Sequence, residues 1–181
     1  MALIAPKVLG DERGFFVETF RRSIFEELGI RGEFVQDNQS RSKRGIVRGM
    51  HFQVNRGAAK LVRCGRGAIY DVVVDLRRGS PTYGEWEGFE LTDENQHMVY
   101  VPAGFGHGFC TLSDLADVMY KQDAYYNGAT ERGIKYDDPD VGIEWPLRPD
   151  EMQPSERDAT APLLSEIADE LPFVYVPSSP A

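Results

Sequence analysis

The segment Gly45-Ile-Val-Arg-Gly-Met-His-Phe-Gln53 sets an arginine and a histidine into what otherwise reads as a strand. Side chains alternate between the two faces of a strand, so Ile46, Arg48, Met50 and Phe52 should share one side and Val47, His51 and Gln53 the other. Each face then mixes apolar with polar groups. Such mixing is foreign to a strand with one solvated face and natural for one lining a cavity whose wall does chemistry. Arg48 and His51 should point opposite ways unless Gly49 occupies a β-bulge that turns both toward one cavity, and the bulge is the expectation here. The same mixing recurs elsewhere: Gln36 shares a face with Asn38, His107 with Phe105 and Phe109, and Tyr120 with Val118 and Gln122.

Periodicity alone supports plainer readings of these residues. A lone histidine in an apolar strand, such as His51, reads as a hydrogen-bonded core residue, and Lys60 in AAKLVRC as a solvent-facing lysine. Tyr120 and Tyr126 read as packing aromatics with an exposed hydroxyl. Arg13 reads as a turn residue, Glu18 as the polar position of an alternating strand, and Asp158 as a loop or cap residue near the last helix. A metal centre of the His-x-His kind is disfavoured. Gln53 stands where the second histidine would be, the chain holds only His51, His97 and His107, and Lys60 is a cation where an acidic ligand could follow.

The elements that must position these groups are mostly short strands at close spacing: FFVETF, EFVQDNQS, GIVRGMHFQ, AKLVRC, AIYDVVVDL, WEGFEL, HMVYVP, GFCTL and DVMYKQ. Turn signals at Gly65-Arg-Gly67, Arg78-Gly-Ser-Pro81 and Thr92-Asp-Glu-Asn95 separate them. Two helices are expected. Ser23-Ile-Phe-Glu26 fits a capping box with Gly29 as a left-handed stop, and a second helix runs from Pro162 to Leu171 with Pro172 closing it. This pattern predicts an all-β, antiparallel jelly-roll double-sheet barrel with short peripheral helices, whose mouth is the place for a ligand.

The chain of 181 residues is the size of one domain, with no repeat or linker before a final PSSPA expected to fray. Its acidic side chains number 29 against 20 basic ones, a formal charge of -9 that repels nucleic-acid backbones. A small anionic substrate held in a local pocket of arginines and lysines stays open. No apolar run approaches the ~20 residues that span a bilayer, so no membrane partner is expected. The N-terminus lacks the pattern of a secretory signal, and the two cysteines, Cys64 and Cys110, read as small buried hydrophobes; a cytoplasmic location is expected.

Taken together, RGMHFQ, AAKLVRC, VPAGFGHGFCTLSD, MYKQDAYY and PSERDATAPLL resemble the dTDP-4-dehydrorhamnose 3,5-epimerase family, cupin-like enzymes of rhamnose biosynthesis, over roughly residues 6 to 172. The resemblance implies proton abstraction at C3 and C5 beside the C4 ketone of a dTDP-linked 6-deoxyhexose, without cofactor or metal. It implies His51 as base, Asp158 as the carboxylate fixing its tautomer, Lys60 as the cation near the enolate oxygen and Tyr120 as the acid on the opposite face. It further implies Arg13 and Arg48 as diphosphate contacts, Glu18, Gln36, Asn38, His107 and Glu131 as polar ligands of sugar and nucleoside, and Tyr126 as the ring stacked on thymine. A homodimer exchanging N-terminal strands would carry Arg13 and Glu18 to the neighbour's site. Lys135-Tyr-Asp-Asp-Pro139, Met50 and Phe52 depart from the family pattern, which bears on the exact sugar. A C3-only epimerase, a metal-dependent barrel enzyme and a non-catalytic sugar-binding module remain the competing readings.

Overall fold

The computed structural model describes residues 1–177; most of the tail expected to fray, residues 178–181, lies outside the described residues. In chain order the elements are β1 (Ala2–Ile4), β2 (Val8–Asp11), β3 (Gly14–Val17), α1 (Arg22–Glu27), β4 (Gln36–Lys43), β5 (Ile46–Gln53), β6 (Lys60–Arg66) and β7 (Ala68–Asp75). They continue with β8 (Trp86–Thr92), β9 (Met98–Val101), β10 (Phe105–Thr111), β11 (Leu115–Gln122), β12 (Glu131–Gly133), β13 (Gln153–Pro154), α2 (Glu156–Ala159) and α3 (Leu164–Ile167). Strands β2 and β3 form a separate hairpin, while the others build a five-stranded sheet in the order β1-β9-β6-β11-β4 and a six-stranded one in the order β12-β5-β10-β7-β8, with β13 beside β5.

The two large sheets face each other across one apolar layer. The first contributes Val62, Cys64, Val99, Val101, Ala116 and Val118, and the second Ile69, Val73, Leu91, Phe105 and Phe109. Alternation along each strand sends these side chains inward, and burying each large one contributes about 1.5–3 kcal/mol. Outer faces are covered in turn: Met50, Phe52, Val72 and Val74 pack under Ile134, Leu164 and Leu171, while Leu61 and Met98 pack under Phe25 and Ile30. Every strand expected from the sequence forms, and all but FFVETF join the two sheets of the barrel; FFVETF pairs only as far as Val17, in the separate hairpin, and EFVQDNQS only from Gln36.

Two helix expectations need correction. α1 begins at Arg22, with Arg21 at its cap and no side-chain cap bond, so Ser23 lies inside the first turn and its capping box does not form. Phe25 is buried against Ile30, and Phe20 stacks on it at 5.0 Å, so aromatic docking rather than capping sets where this helix starts. Gly29 does supply the left-handed stop, at φ 81°. The second helix shrinks to α3 followed by a 3-10 turn over Ala168–Glu170, because Ile167, at φ -115° and ψ 4°, leaves helical geometry as Leu164 and Leu171 dock into the outer core. The short α2 went unforeseen. It is capped by Ser155, whose Oγ accepts the Asp158 N–H at 3.1 Å.

Candidate active site

β5 does not keep strict alternation. His51 pairs with His107 of β10, yet Arg48 pairs with Phe109, so three steps along β5 match two along β10. The extra residue is the expected bulge at Gly49, where φ is 126° and a Cβ would lie 2.4 Å from Gly108 Cα. Only glycine fits both that conformation and that approach. The bulge puts Arg48 and His51 on the inner face opposite Phe109 and His107, and turns Met50 and Phe52 outward. The simple parity that grouped Arg48 with Met50 and Phe52 therefore fails, and the bulge is the reason.

From the facing sheet, β11 sends Tyr120 and Gln122 inward beside Val62 and Lys60 of β6, and β4 sends Asn38 and Gln36 inward on the other side of β11. Tyr120 packs against the inner apolar layer. The barrel mouth thus has His51, His107, Arg48 and Gln53 on one wall and Lys60, Tyr120, Gln122, Asn38 and Gln36 on the other.

Behind His51 stands a buried carboxylate. Asp158 leans across the edge of β5 between β12 and β13, where its Oδ1 lies 2.6 Å from His51 Nε2 and its Oδ2 accepts the Gly49 N–H at 3.5 Å. Burial works against its charge, but hydrogen bonds from His51, Ser155 and Gly49 hold the carboxyl below its ordinary range. With Nε2–H donated to an ionised carboxylate, Nδ1 carries the lone pair that can take a proton. His107 has a parallel arrangement: its Nε2 lies 2.8 Å from Asp71 Oδ2. Here burial dominates and pushes the imidazole below its ordinary value despite Asp71.

Burial also lowers the Lys60 ammonium to about 8, partly offset by Glu131 and Asp71. The Tyr120 phenol is raised, chiefly by burial and then by Glu131, so it stays protonated. These opposite directions have one origin, the cost of charge in a partly dry cavity. At the rim, Gln36 donates through Nε2 to Asn38 Oδ1 at 2.9 Å and accepts the Tyr126 N–H through Oε1 at 2.9 Å. Glu131 Oε2 accepts from the Tyr126 hydroxyl at 3.1 Å and from Arg157 Nη1 at 2.5 Å. Asn38 Nδ2 is buried without a partner among the described residues, a donor free for a ligand. Arg48 reaches the facing sheet, where its Nε donates to Ser42 Oγ at 3.1 Å.

Ten of the sequence-derived candidates therefore gather at the mouth or rim: His51, Lys60, Tyr120, Asp158, Gln36, Asn38, Arg48, His107, Tyr126 and Glu131. Arg13 and Glu18 do not join them within one chain. Arg13 sits at the tip of the β2–β3 hairpin, 85% exposed and paired with Asp11, and Glu18 pairs with Arg21. That hairpin exposes Val8, Leu9, Phe15 and Phe16. Among groups unforeseen in the sequence, Asp71 had the clearest signal, a lone acid within AIYDVVVD. Gln53 and Gln122 shared parity with His51 and Tyr120, while Arg157 carried no signal beyond its neighbour Asp158.

Two concavities adjoin His51. A space of about 10 Å³ lies among His51, Gln53, Lys60, Phe105, Gln122 and Phe173, and one of about 410 Å³ opens between His51, Arg157, Asp158, Pro162 and Leu171. A third, of about 440 Å³, lies largely against the outer face of the five-stranded sheet, at Leu61, Arg63, Met98 and Met119, and lacks the histidines.

The dTDP-4-dehydrorhamnose 3,5-epimerase family model matches residues 1–166. A protein of that name from Methanothermobacter thermautotrophicus is 52% identical over 157 residues, 86% of this chain and 85% of that one. The crystal structure of a Legionella pneumophila dTDP-6-deoxy-D-glucose-3,5-epimerase in complex with dTDP-4-keto-L-rhamnose superposes with a TM-score of 0.93 at 47% identity, covering 97% of this chain and 93% of that one. A 4-keto-6-deoxy sugar epimerase from the novobiocin gene cluster of Streptomyces spheroides superposes with a TM-score of 0.89 at 44% identity, covering 95% and 86%.

Proposed function

Since the chain belongs to the dTDP-4-dehydrorhamnose 3,5-epimerase family, we propose that its barrel mouth epimerises dTDP-4-dehydro-6-deoxy-D-glucose at C3 and C5 to dTDP-4-dehydro-L-rhamnose. One observation carries the mechanism: the His51–Asp158 pair, at 2.6 Å, stands on the wall opposite Tyr120, with Lys60 on Tyr120's side of the cavity.

A proton on a carbon beside a ketone is weakly acidic, and its removal leaves charge on the ketone oxygen. His51 Nδ1 takes the proton, and Asp158 stabilises the imidazolium that forms. The Lys60 ammonium lies beside the developing oxyanion, where a partly buried cation needs less reorganisation than a fully hydrated one. Tyr120, kept protonated by burial, returns a proton to the other face of the carbon. Removal from one wall and delivery from the other invert the centre. A pivot of the ring between the two centres lets the same pair serve C3 and then C5. No redox step enters, so no cofactor is required.

Arg48 suits a diphosphate by its charge and fork geometry. Gln36, Asn38, His107 and Glu131 offer polar contacts to sugar and nucleoside, and Tyr126, 53% exposed at the rim, offers a face for the thymine. Arg13 and Glu18 act in the second subunit of a homodimer: the hairpin that carries Arg13 exposes Phe15 and Phe16 at 58% and 66%, apolar surface that a partner would cover. A cytoplasmic setting accords with two buried free cysteines, and no helix among the described residues is long and apolar enough to cross a membrane.

Solvent exchange tests the reading. Incubated in D2O with dTDP-4-keto-6-deoxyglucose, the protein should place deuterium at C3 and C5. Label at C3 alone would make it a single-centre epimerase of a related deoxysugar pathway, and no label at either carbon would end the proposal.

A further inference from the structure

The residues matched by the family model stop at 166, yet the chain continues back across the barrel, and Phe173 lines the same ~10 Å³ space as Lys60, His51, Gln122 and Phe105. That space is about the size of one water molecule. Phe173 is 9% exposed, and its ring meets Phe52 edge-on at 6.1 Å.

The segment around it is fixed by directed contacts. Arg78 donates its N–H to the Phe173 carbonyl at 3.0 Å, and Tyr175 returns an N–H to the Arg78 carbonyl at 3.0 Å. Beside this bridge the Arg77 guanidinium lies over the Phe105 ring at 4.4 Å and over the Tyr175 ring at 5.1 Å, while its Nε and Nη2 reach Asp75 at 2.8 and 2.7 Å. Gly104 lets Arg77 reach this position, since a Cβ there would lie 2.8 Å from Arg77 Cγ.

We propose that the C-terminal strap from Leu171 to Val176 is a wall of the active site, in which Phe173 is a positioning residue that keeps water away from the Lys60 ammonium. This rests on the epimerase reading for its catalytic meaning, though not for its geometry. An ammonium shielded from water stabilises an enolate more strongly than a hydrated one, because no solvent dipoles must be displaced as the charge develops. The charged and titratable groups around Lys60 are Glu131 of β12, Asp71 of β7, His107 of β10 and His51 of β5. None of these lies on the strap, whose own titratable side chain, Tyr175, stacks on Arg77, so the strap acts on Lys60 through exclusion of water.

The experiment is an NMR titration of protein grown with 13Cε-lysine. The chain has five lysines, and the Lys60 signal is the one missing from Lys60→Arg. In the native protein Lys60 should titrate near 8, and Phe173→Ala should move it upward toward the ordinary 10.5. Phe173→Leu, which refills most of the space, should bring it back toward the native position, and Val176→Ala, at an 80% exposed strap position, should leave it unmoved. The alkaline limb of kcat should shift in step with the titration, with little change in KM.

A Phe173→Ala protein that melts cooperatively and keeps the native Lys60 titration overturns the proposal. So does one that loses kcat with both titration and pH limb unmoved, since Phe173 would then be only structural. If Phe173→Ala fails to fold, Phe173→Val is read in the same spectrum, and an unmoved signal there is equally decisive. The titration uses no substrate. A shifted Lys60 in a protein that incorporates no deuterium would therefore refute the sugar chemistry and leave the wall standing.

Discussion

Replacing Asp158 by asparagine tests the His51 pair with the least change of shape. The carboxylate is 4% exposed and its Oδ1 sits 2.6 Å from His51 Nε2, so an amide fits the same space with only the charge removed. A charge-assisted hydrogen bond is worth about 1.5–3 kcal/mol net, and a neutral one about 0.5–1.5. The exchange therefore withdraws roughly 1–2 kcal/mol from the imidazolium, which at about 1.36 kcal/mol per decade is a ~5- to 30-fold loss of kcat. That is the smaller of two outcomes. If the amide turns its NH2 toward Nε2, the ring must carry its proton on Nδ1, and the loss approaches the ~10⁴-fold of a misplaced base. KM should stay near its native value, because in the proposed mechanism Asp158 supports the base and not the bound nucleotide. The assay follows deuterium uptake at C3 and C5 by 1H NMR in D2O, with a thermal melt to confirm folding. A folded Asp158→Asn protein with native kcat, or one whose defect lies wholly in KM, would refute the reasoning.

Gly49→Ala would press a methyl to 2.4 Å from Gly108 Cα and 2.7 Å from the His107 carbonyl at a φ of 126°. A destabilisation of at least ~2 kcal/mol is expected from strain and overpacking, and a native denaturation midpoint would show that the bulge is not rigid. At Asp75 burial opposes ionisation, but Arg77, Ser80 and Thr82 hold the carboxyl at about 2 instead of 3.8. A depressed carboxylate stabilises the fold above its unfolded value, here by roughly 2 kcal/mol, and that stability is lost as pH falls from about 4 to 2. Urea titrations should thus show Asp75→Asn weaker than native at pH 7, with the gap closing toward pH 2; a gap independent of pH would refute the assignment. Removing both hairpin rings, Phe15→Ser with Phe16→Ser, should weaken self-association at least ~10²-fold, since burying each ring contributes about 1.5–3 kcal/mol. Size-exclusion chromatography across a dilution series reads this directly, and unchanged elution would refute the proposed hairpin contact.

The sequence by itself determined the barrel and most of the contents of its mouth. Period-two alternation between turn signals is a local property, so the strands could be read one by one, and the mixed faces of GIVRGMHFQ, GFGHGFC and DVMYKQ marked those that line a polar cavity. Motif resemblance added Asp158, Lys60 and Glu131, which alternation had left as a cap, a surface lysine and nothing at all. What the local pattern did not contain was decided by contacts distant in the chain. Met50 and Phe52 face away from Arg48 because the pairing with β10 shifts register at Gly49, where Gly108, on that other strand, comes too close for any side chain. α1 starts ahead of its polar signal because Phe20 and Phe25 dock together, and the last helix breaks because Leu164 and Leu171 dock in one outer core. Asp71 behind His107, Arg157 on Glu131 and Phe173 beside Lys60 became visible only once the sheets closed, since each meets its partner through folding and not through spacing. The same closure removes part of the water from Lys60 and Tyr120, and the partial dryness that shifts their proton affinities belongs to the assembled cavity, not to either residue.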